Sequence, residues 1–227
     1  MKKYILLYND NTHLEYMYPL IDSIKKYSDF EIIIFNRCDI DEQFMKENNE
    51  IMNESRGGGY WLWKPYIINK VLNSIEDGDY LFYLDSKYYF MEDFTELYED
   101  KIKETDILVW ANKPNEGGYY MKNWCKMDVV LKYDVYDLVF NKDVNDSSAS
   151  AIFLKNSDTS RRVMYEWLTM CCNYSDITDI ESINKNDGNF FCEHRHDQSL
   201  LSIALYKNNI KLYFFEKRYL QNIRNPY

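Results

Sequence analysis

No stretch of this chain reaches the roughly 18 consecutive apolar residues that a membrane-spanning helix needs, so a bilayer-crossing segment is not expected. The 227 residues hold five cysteines (Cys38, Cys125, Cys171, Cys172 and Cys192), an odd number with no Cys-x-x-Cys pair among them. That disfavours a disulfide framework and a structural zinc site, and a reducing, cytoplasm-like compartment is the expectation. The first apolar run, Tyr4-Ile5-Leu6-Leu7-Tyr8, is too short for a signal-peptide core and no small-residue cleavage site follows it, so secretion is not expected. Basic residues are in deficit, 27 Lys plus Arg against 37 Asp plus Glu, and the net charge of −10 makes nucleic acid a poor partner. Glycine is missing where a dinucleotide site would need it: the turn after the first apolar run reads Asn9-Asp10-Asn11-Thr12. This disfavours classical NAD binding and sugar-nucleotide pyrophosphorylases alike. P-loop and Gly-x-Ser-x-Gly motifs are also absent.

What is present supports one folded domain over residues 1–227. A chain of this length buries roughly 70 to 75% of its unfolded surface and needs no metal or disulfide to fold. The 46% hydrophobic content excludes extensive disorder. An aromatic share of 17%, led by 22 Tyr, offers flat amphipathic binding walls, although a general bias toward Tyr, Asn, Ile and Lys explains it equally well.

Lys3 to Tyr8 and Glu31 to Phe35 read as strands, and Leu14 to Tyr27 between them has helical spacing. Thr12 and Glu15 form a candidate capping box, while Pro19 marks either a kink or a later first turn. Asp41 to Met52 reads as helical, Arg56-Gly57-Gly58-Gly59 interrupts it, and Pro65 opens an amphipathic helix over Tyr66 to Ile75. Tyr80 to Leu84 is a continuous apolar run ending abruptly in Asp85, the pattern of a central buried strand. Ile107 to Trp110, Ala149 to Leu154 and Ile210 to Phe215 read as further strands. Ser157 caps a helix from about Thr159 to Cys172, Ser175 to Gly188 reads as loop, and Ser199 to Tyr206 as helix. The alternation predicts an α/β fold with a mostly parallel sheet flanked by helices, in which ligands gather at the carboxyl ends of strands.

Two segments there carry the chemistry. In Arg56-Gly57-Gly58-Gly59-Tyr60-Trp61-Leu62-Trp63-Lys64-Pro65, glycines permit positive φ, aromatic faces suit a base or sugar ring, and a helix N-terminus attracts phosphate. One of the two tryptophans is expected to be core. The second segment, Gly78 to Lys87, ends in Asp85-Ser86-Lys87. Together with Trp124-Cys125-Lys126-Met127-Asp128, Ser148-Ala149-Ser150-Ala151 and Glu193-His194-Arg195-His196-Asp197-Gln198, these stretches resemble GT-A-fold glycosyltransferases of the capsular-polysaccharide and giant-virus type, over most of the chain.

The resemblance implies a Rossmann-like GT-A domain that moves a sugar from a nucleotide-diphosphate donor, most often UDP-linked, to a glycan or other hydroxyl acceptor. It places Asp85 as ligand of a Mn²⁺ or Mg²⁺ ion on the donor diphosphate. The usual Asp-x-Asp, however, reads Asp85-Ser86-Lys87 here, a cation replacing the second carboxylate. Tyr8, Asn9, Arg56, Tyr60, Trp61, Lys64, Ser86, Lys87, Lys126, His194 and Gln198 are the expected donor contacts. Asp197 is expected to face the transferred sugar or acceptor as catalytic carboxylate, with His196 beside it and a histidine on the diphosphate or metal. The rival readings are a carbohydrate-binding or scaffold protein that has lost catalysis and, third, a nucleotidyltransferase.

Overall fold

The computed structural model of the chain describes residues 1–10, 14–93, 95–102, 104–111, 120–185, 190–214 and 219–222. Its strands are β1 Lys3–Tyr8, β2 Glu31–Phe35, β3 Tyr80–Leu84, β4 Tyr88–Phe90, β5 Ile107–Ala111, β6 Ser147–Lys155, β7 Tyr213–Phe214 and β8 Leu220–Asn222. Six of them form one sheet in the order β2-β1-β3-β6-β5-β7, while β4 and β8 pair as a separate antiparallel ribbon. The helices of ten residues or more among the described residues are α1 Leu14–Tyr27, α2 Trp63–Leu72, α3 Asp158–Cys171 and α4 His196–Lys207.

Alternation along the strands divides the interior into two layers. Leu6, Tyr8, Leu81, Tyr83, Ile152 and Leu154 pack with α2, α3 and α4, whereas Ile5, Leu7, Phe82, Leu84 and Phe153 pack with Met17, Leu20 and Ile24 of α1. Strands buried on both faces explain why β1 and β3 are apolar runs rather than alternating ones.

The sheet is mostly parallel: β1 pairs in parallel with β2 and β3, and β5 with β7. Strand β6 runs antiparallel to both neighbours. Ala111 at the end of β5 lies opposite Ser147 at the start of β6, so the chain re-enters the sheet at the end where it left. This puts the serine-rich start of β6 beside the carboxyl end of β3, where the Asp85 N–H donates to Ser150 O at 2.8 Å.

Helix α1 has the bounds read from the sequence, Leu14–Tyr27, and continues through Pro19; Thr12 of the candidate capping box lies outside the described residues. Several other boundaries differ from the sequence reading. Helix α2 starts two residues before Pro65, and nearly all of it is buried instead of one face, because it lies between β3 and α3. Its Asn69 carboxamide donates to Pro65 O and Met164 O, both at 2.8 Å, which satisfies a polar group that has no route to water. Ser157 does cap α3, accepting from the Ser160 N–H. The segment taken as loop holds a helical turn, Tyr174–Ile177, and beyond it Asp128 accepts from the N–H groups of Ile183 and Asn184. Helix α4 begins at His196, three residues before Ser199, so His196, Asp197 and Gln198 lie in its first turn while His194 and Arg195 precede it. Of the strand expected over Ile210 to Phe215, only Tyr213–Phe214 pairs among the described residues.

Candidate active site

Period-two geometry points the side chain of Asp85 to the same sheet face as Leu81 and Tyr83, the face covered by α2 and α4. Around it stand three polar partners. The Tyr83 hydroxyl donates to Oδ1 at 2.7 Å, the Lys87 ammonium lies 3.1 Å from Oδ2, and the Lys64 ammonium lies 3.8 Å from Oδ1. Lys64 also reaches Asp197 at 2.9 Å, outside the angular range of a well-formed hydrogen bond. Exposure grades the group: the side chains of Lys64 and Asp197 are 5% and 6% exposed, those of Asp85 and Lys87 22% and 29%. An ion pair is therefore sealed behind one that meets solvent.

Burial acts on all of these charges, and the partners decide the outcome. For Lys64, burial opposes the charge, but Asp197 and Asp85 together outweigh it and raise the pKa. For Asp85, burial is likewise the largest influence, yet Lys64, Lys87 and the Tyr83 hydroxyl hold the pKa below the ordinary value. Asp197 is different: burial prevails over Lys64 and its pKa is raised. One carboxylate is thus firmly ionised and its neighbour is the more ready to take a proton.

The glycine turn enters from the side. Five successive residues have positive φ: Gly57 (59°), Gly58 (61°), Gly59 (101°), Tyr60 (50°) and Trp61 (60°). Arg37 donates to Gly58 O and Met52 O, and Trp63 Nε1 donates to Gly57 O at 3.0 Å. Trp63 is buried and stacks on Tyr8 with ring centres 3.7 Å apart, so it is the core member of the tryptophan pair. Trp61 is only partly buried and stacks on His196. A Cβ on Gly59 would meet the Met52 Cα at 2.9 Å, whereas one on Gly58 would find nothing nearer than 3.8 Å. Gly59→Ala is accordingly expected to destabilise the fold by about 2–4 kcal/mol, combining left-handed backbone strain with a clash against main chain. Gly58→Ala should cost about 1–2 kcal/mol, for the strain alone. Denaturant unfolding of the two variants checks the order.

Arg56 and Tyr60 of this turn converge on Asp179, a residue that no sequence motif singles out. Arg56 pairs with Asp179 at 3.0 Å and Glu193 at 3.3 Å, and the Tyr60 hydroxyl donates to Asp179 at 3.0 Å. His196, at φ 52°, lies against the same group. Its Nδ1 is 2.7 Å from Ile177 O, which places the proton on Nδ1 and leaves Nε2 as a lone pair 3.7 Å from Asp179. Nε2 has no hydrogen-bond partner among the described residues, and burial lowers the ring's pKa.

Three other expected donor contacts, His194, Lys126 and Gln198, have protein partners of their own. His194 is buried, with Nε2 2.7 Å from Asp176 O and Nδ1 accepting from the Lys126 N–H at 3.4 Å. Burial, reinforced by Lys126, pushes its pKa well down, so the ring is neutral and both nitrogens are occupied. It has no atom left for a diphosphate or a metal. The Lys126 ammonium donates to Thr178 O and Ile180 O at 2.9 and 3.2 Å, bracing the following loop, and burial lowers its pKa. Gln198 donates to the fully buried Asp146, whose carboxyl burial pushes up to about 6. Asn9, buried at the end of β1, donates its N–H to Phe35 O at 2.9 Å, and Ser86 lies in the turn between β3 and β4.

A cavity of about 380 Å³ is walled by Lys126, Asp179, Glu193 and His194 among others. It therefore belongs with the Arg56–Asp179 brace, and Asp85, Lys64, Lys87 and Asp197 are not among its lining residues.

The residues around Asp85 do not fit a divalent cation. Both carboxylate oxygens already have polar partners, the second acidic position is Lys87, and no group of three or more His, Cys, Asp or Glu suited to a metal occurs among the described residues. A divalent ion about 4 Å from the Lys87 ammonium would be repelled by roughly 8 kcal/mol at an effective dielectric of 20.

No protein-family model matches the chain, and no curated protein matches it. Among solved structures it is similar to the apo form of the bifunctional glycosyltransferase WbbM, with a TM-score of 0.55 and 11% identity over 94% of this chain and 38% of that one. Mouse xyloside xylosyltransferase 1 gives a TM-score of 0.53 at 8% identity over 95% of this chain and 86% of its own length. The apo glycosyltransferase GlyE of Streptococcus pneumoniae TIGR4 gives 0.52 at 13% identity over 94% and 45%. The chain spans under half the length of WbbM and GlyE and most of the xylosyltransferase. At such identities the likeness is one of fold: nearly the whole chain shares the α/β architecture of solved glycosyltransferases.

Proposed function

We propose that this chain is a glycosyltransferase that moves a sugar from a nucleoside-diphosphate donor, with UDP the favoured nucleotide, to a hydroxyl of a glycan or similar acceptor. The observation that carries the reading is the Asp85–Lys64–Asp197 group at the carboxyl end of the central strand, where an α/β sheet offers its ligand crevice. The fold shared with solved glycosyltransferases supports it.

In this scheme Tyr8 and Asn9 at the end of β1 and the positive-φ turn through Trp61 flank the nucleotide. Lys87 and Lys64 oppose the negative charge that develops on the leaving diphosphate. Asp197, with its raised pKa, takes the acceptor proton in an inverting reaction or steadies the sugar cation in a retaining one. Arg56 and Tyr60 hold the aromatic turn in place through Asp179, and His196 stacks on Trp61. The lapsed-enzyme reading draws support from one feature, the engagement of Asp197 by Lys64, which must loosen before Asp197 can accept a proton.

Calorimetric titration with UDP and with GDP tests the proposal. Saturable binding of at least one, UDP the tighter, is the expected result, and binding of glycans without any nucleoside diphosphate would favour the lapsed-enzyme reading instead.

A further inference from the structure

We infer that Lys87 takes the place of the divalent cation on the donor, so that the diphosphate is bound by an ammonium group and donor binding needs no metal. The inference rests on the transferase reading above and concerns the same site.

Charge counting supports it first. Two carboxylates holding one divalent ion sum to zero, and so do one carboxylate and one ammonium. Asp85 with Lys87 is therefore electrostatically equivalent to a metal-loaded Asp-x-Asp, and replacing the second acid by lysine keeps the site's charge without any ion.

Geometry supports it next. The Tyr88 N–H donates to Asp85 O at 3.2 Å, closing a four-residue turn that folds Lys87 back over Asp85. There its ammonium lies 3.1 Å from Asp85 Oδ2 and donates to Ser150 Oγ at 3.0 Å. An ammonium has three donors, so these two contacts aim the group and leave one N–H for a phosphate oxygen. Its side chain is 29% exposed against 5% for Lys64, which makes Lys87 the cation that an arriving anion meets and Lys64 the charge behind it. A metal on Asp85 would sit about 2.0–2.6 Å from a carboxylate oxygen, next to an ammonium already held against that carboxylate. Asp85 then serves as the anchor of Lys87 rather than as a ligand.

The test is titration of UDP into the wild-type chain, Lys87→Ala and Lys87→Asp, each with chelator and with Mn²⁺, with thermal melts to confirm that the partly exposed position leaves the fold intact. Wild-type affinity should differ by less than about twofold between the two buffers, and Lys87→Ala should weaken it about 10- to 100-fold in both, the usual size of a lost charged hydrogen bond. Lys87→Asp should lose affinity in chelator and regain it with Mn²⁺. Wild-type binding at least about tenfold weaker in chelator, or full affinity in Lys87→Ala, overturns the inference while leaving the transferase reading in place. Absence of UDP binding by the wild type in both buffers removes that reading and this inference with it.

Discussion

Replacing Lys64 with methionine, close to it in volume, is expected to destabilise the fold by about 3–5 kcal/mol, the usual cost of removing one partner from a buried ion pair. Lys64 is 4% exposed and is the cation nearest Asp197, which is equally enclosed. Without it, Asp197 faces the ionised Asp85 with no intervening positive charge, and its pKa, already raised, must rise further. The folded variant therefore keeps a proton that the unfolded chain releases. Stability of such a group falls as pH increases, so the deficit against wild type should widen from acid toward pH 8. Combining Lys64→Met with Asp197→Leu removes both charges and should recover most of the loss. Denaturant unfolding of the wild type and the two variants at two pH values reads both effects. A Lys64→Met variant as stable as wild type at pH 8 would mean that this pair is not sealed from water.

That lysine also shows where sequence reading stops. Strands β1, β3 and β5 were legible because burial on both faces demands continuous apolar runs, the edge strand β2 because three successive isoleucines favour extended backbone, and Asp85 stood out as the first charge after such a run. Ser157 was legible because a side-chain cap is a local interaction. The direction of β6 was not, since an apolar run reads the same whichever way it enters a sheet, and only the pairing, as of Ala111 with Ser147, shows it. Lys64 was noticed only as a phosphate contact: lysine is rarely buried, and nothing local announces the carboxylates that make burial tolerable. Tyr83 hid inside its own strand, where an aromatic ring needs no further explanation than the core. Ser150 could have been found from the Ser148-Ala149-Ser150-Ala151 alternation had the antiparallel register of β6 been known. Asp179, which ties Arg56 and Tyr60 together, sits in a polar segment with several equivalent acids and offered no signal. The histidine segment illustrates the reverse. Its density of functional groups suggested chemistry for every member, whereas burial and a main-chain carbonyl hold His194, and the buried Asp146 carboxylate engages Gln198.

Asp197→Asn separates chemistry from binding. If Asp197 acts on the acceptor or the sugar cation, turnover should fall by about 10²- to 10⁴-fold while UDP affinity stays within about threefold, because the lost group acts in the transition state. Slow release of UDP from a UDP-sugar in water gives a readout that needs no identified acceptor. The substitution keeps the shape of the side chain and leaves Lys64 with Asp85 at 3.8 Å, so the fold should survive, which a thermal melt verifies. The pH profile supplies the sharper criterion. A base must be deprotonated to work, and burial holds the Asp197 pKa above the ordinary carboxylate value. Wild-type turnover should therefore decline on acidification at a pH above that of an unperturbed aspartate, and this limb should be missing in Asp197→Asn. Should the limb persist in the variant, another group is the base. Parallel loss of UDP affinity and turnover would instead assign Asp197 to holding Lys64 in position for the phosphates, and the proton would then have to leave by a different carboxylate.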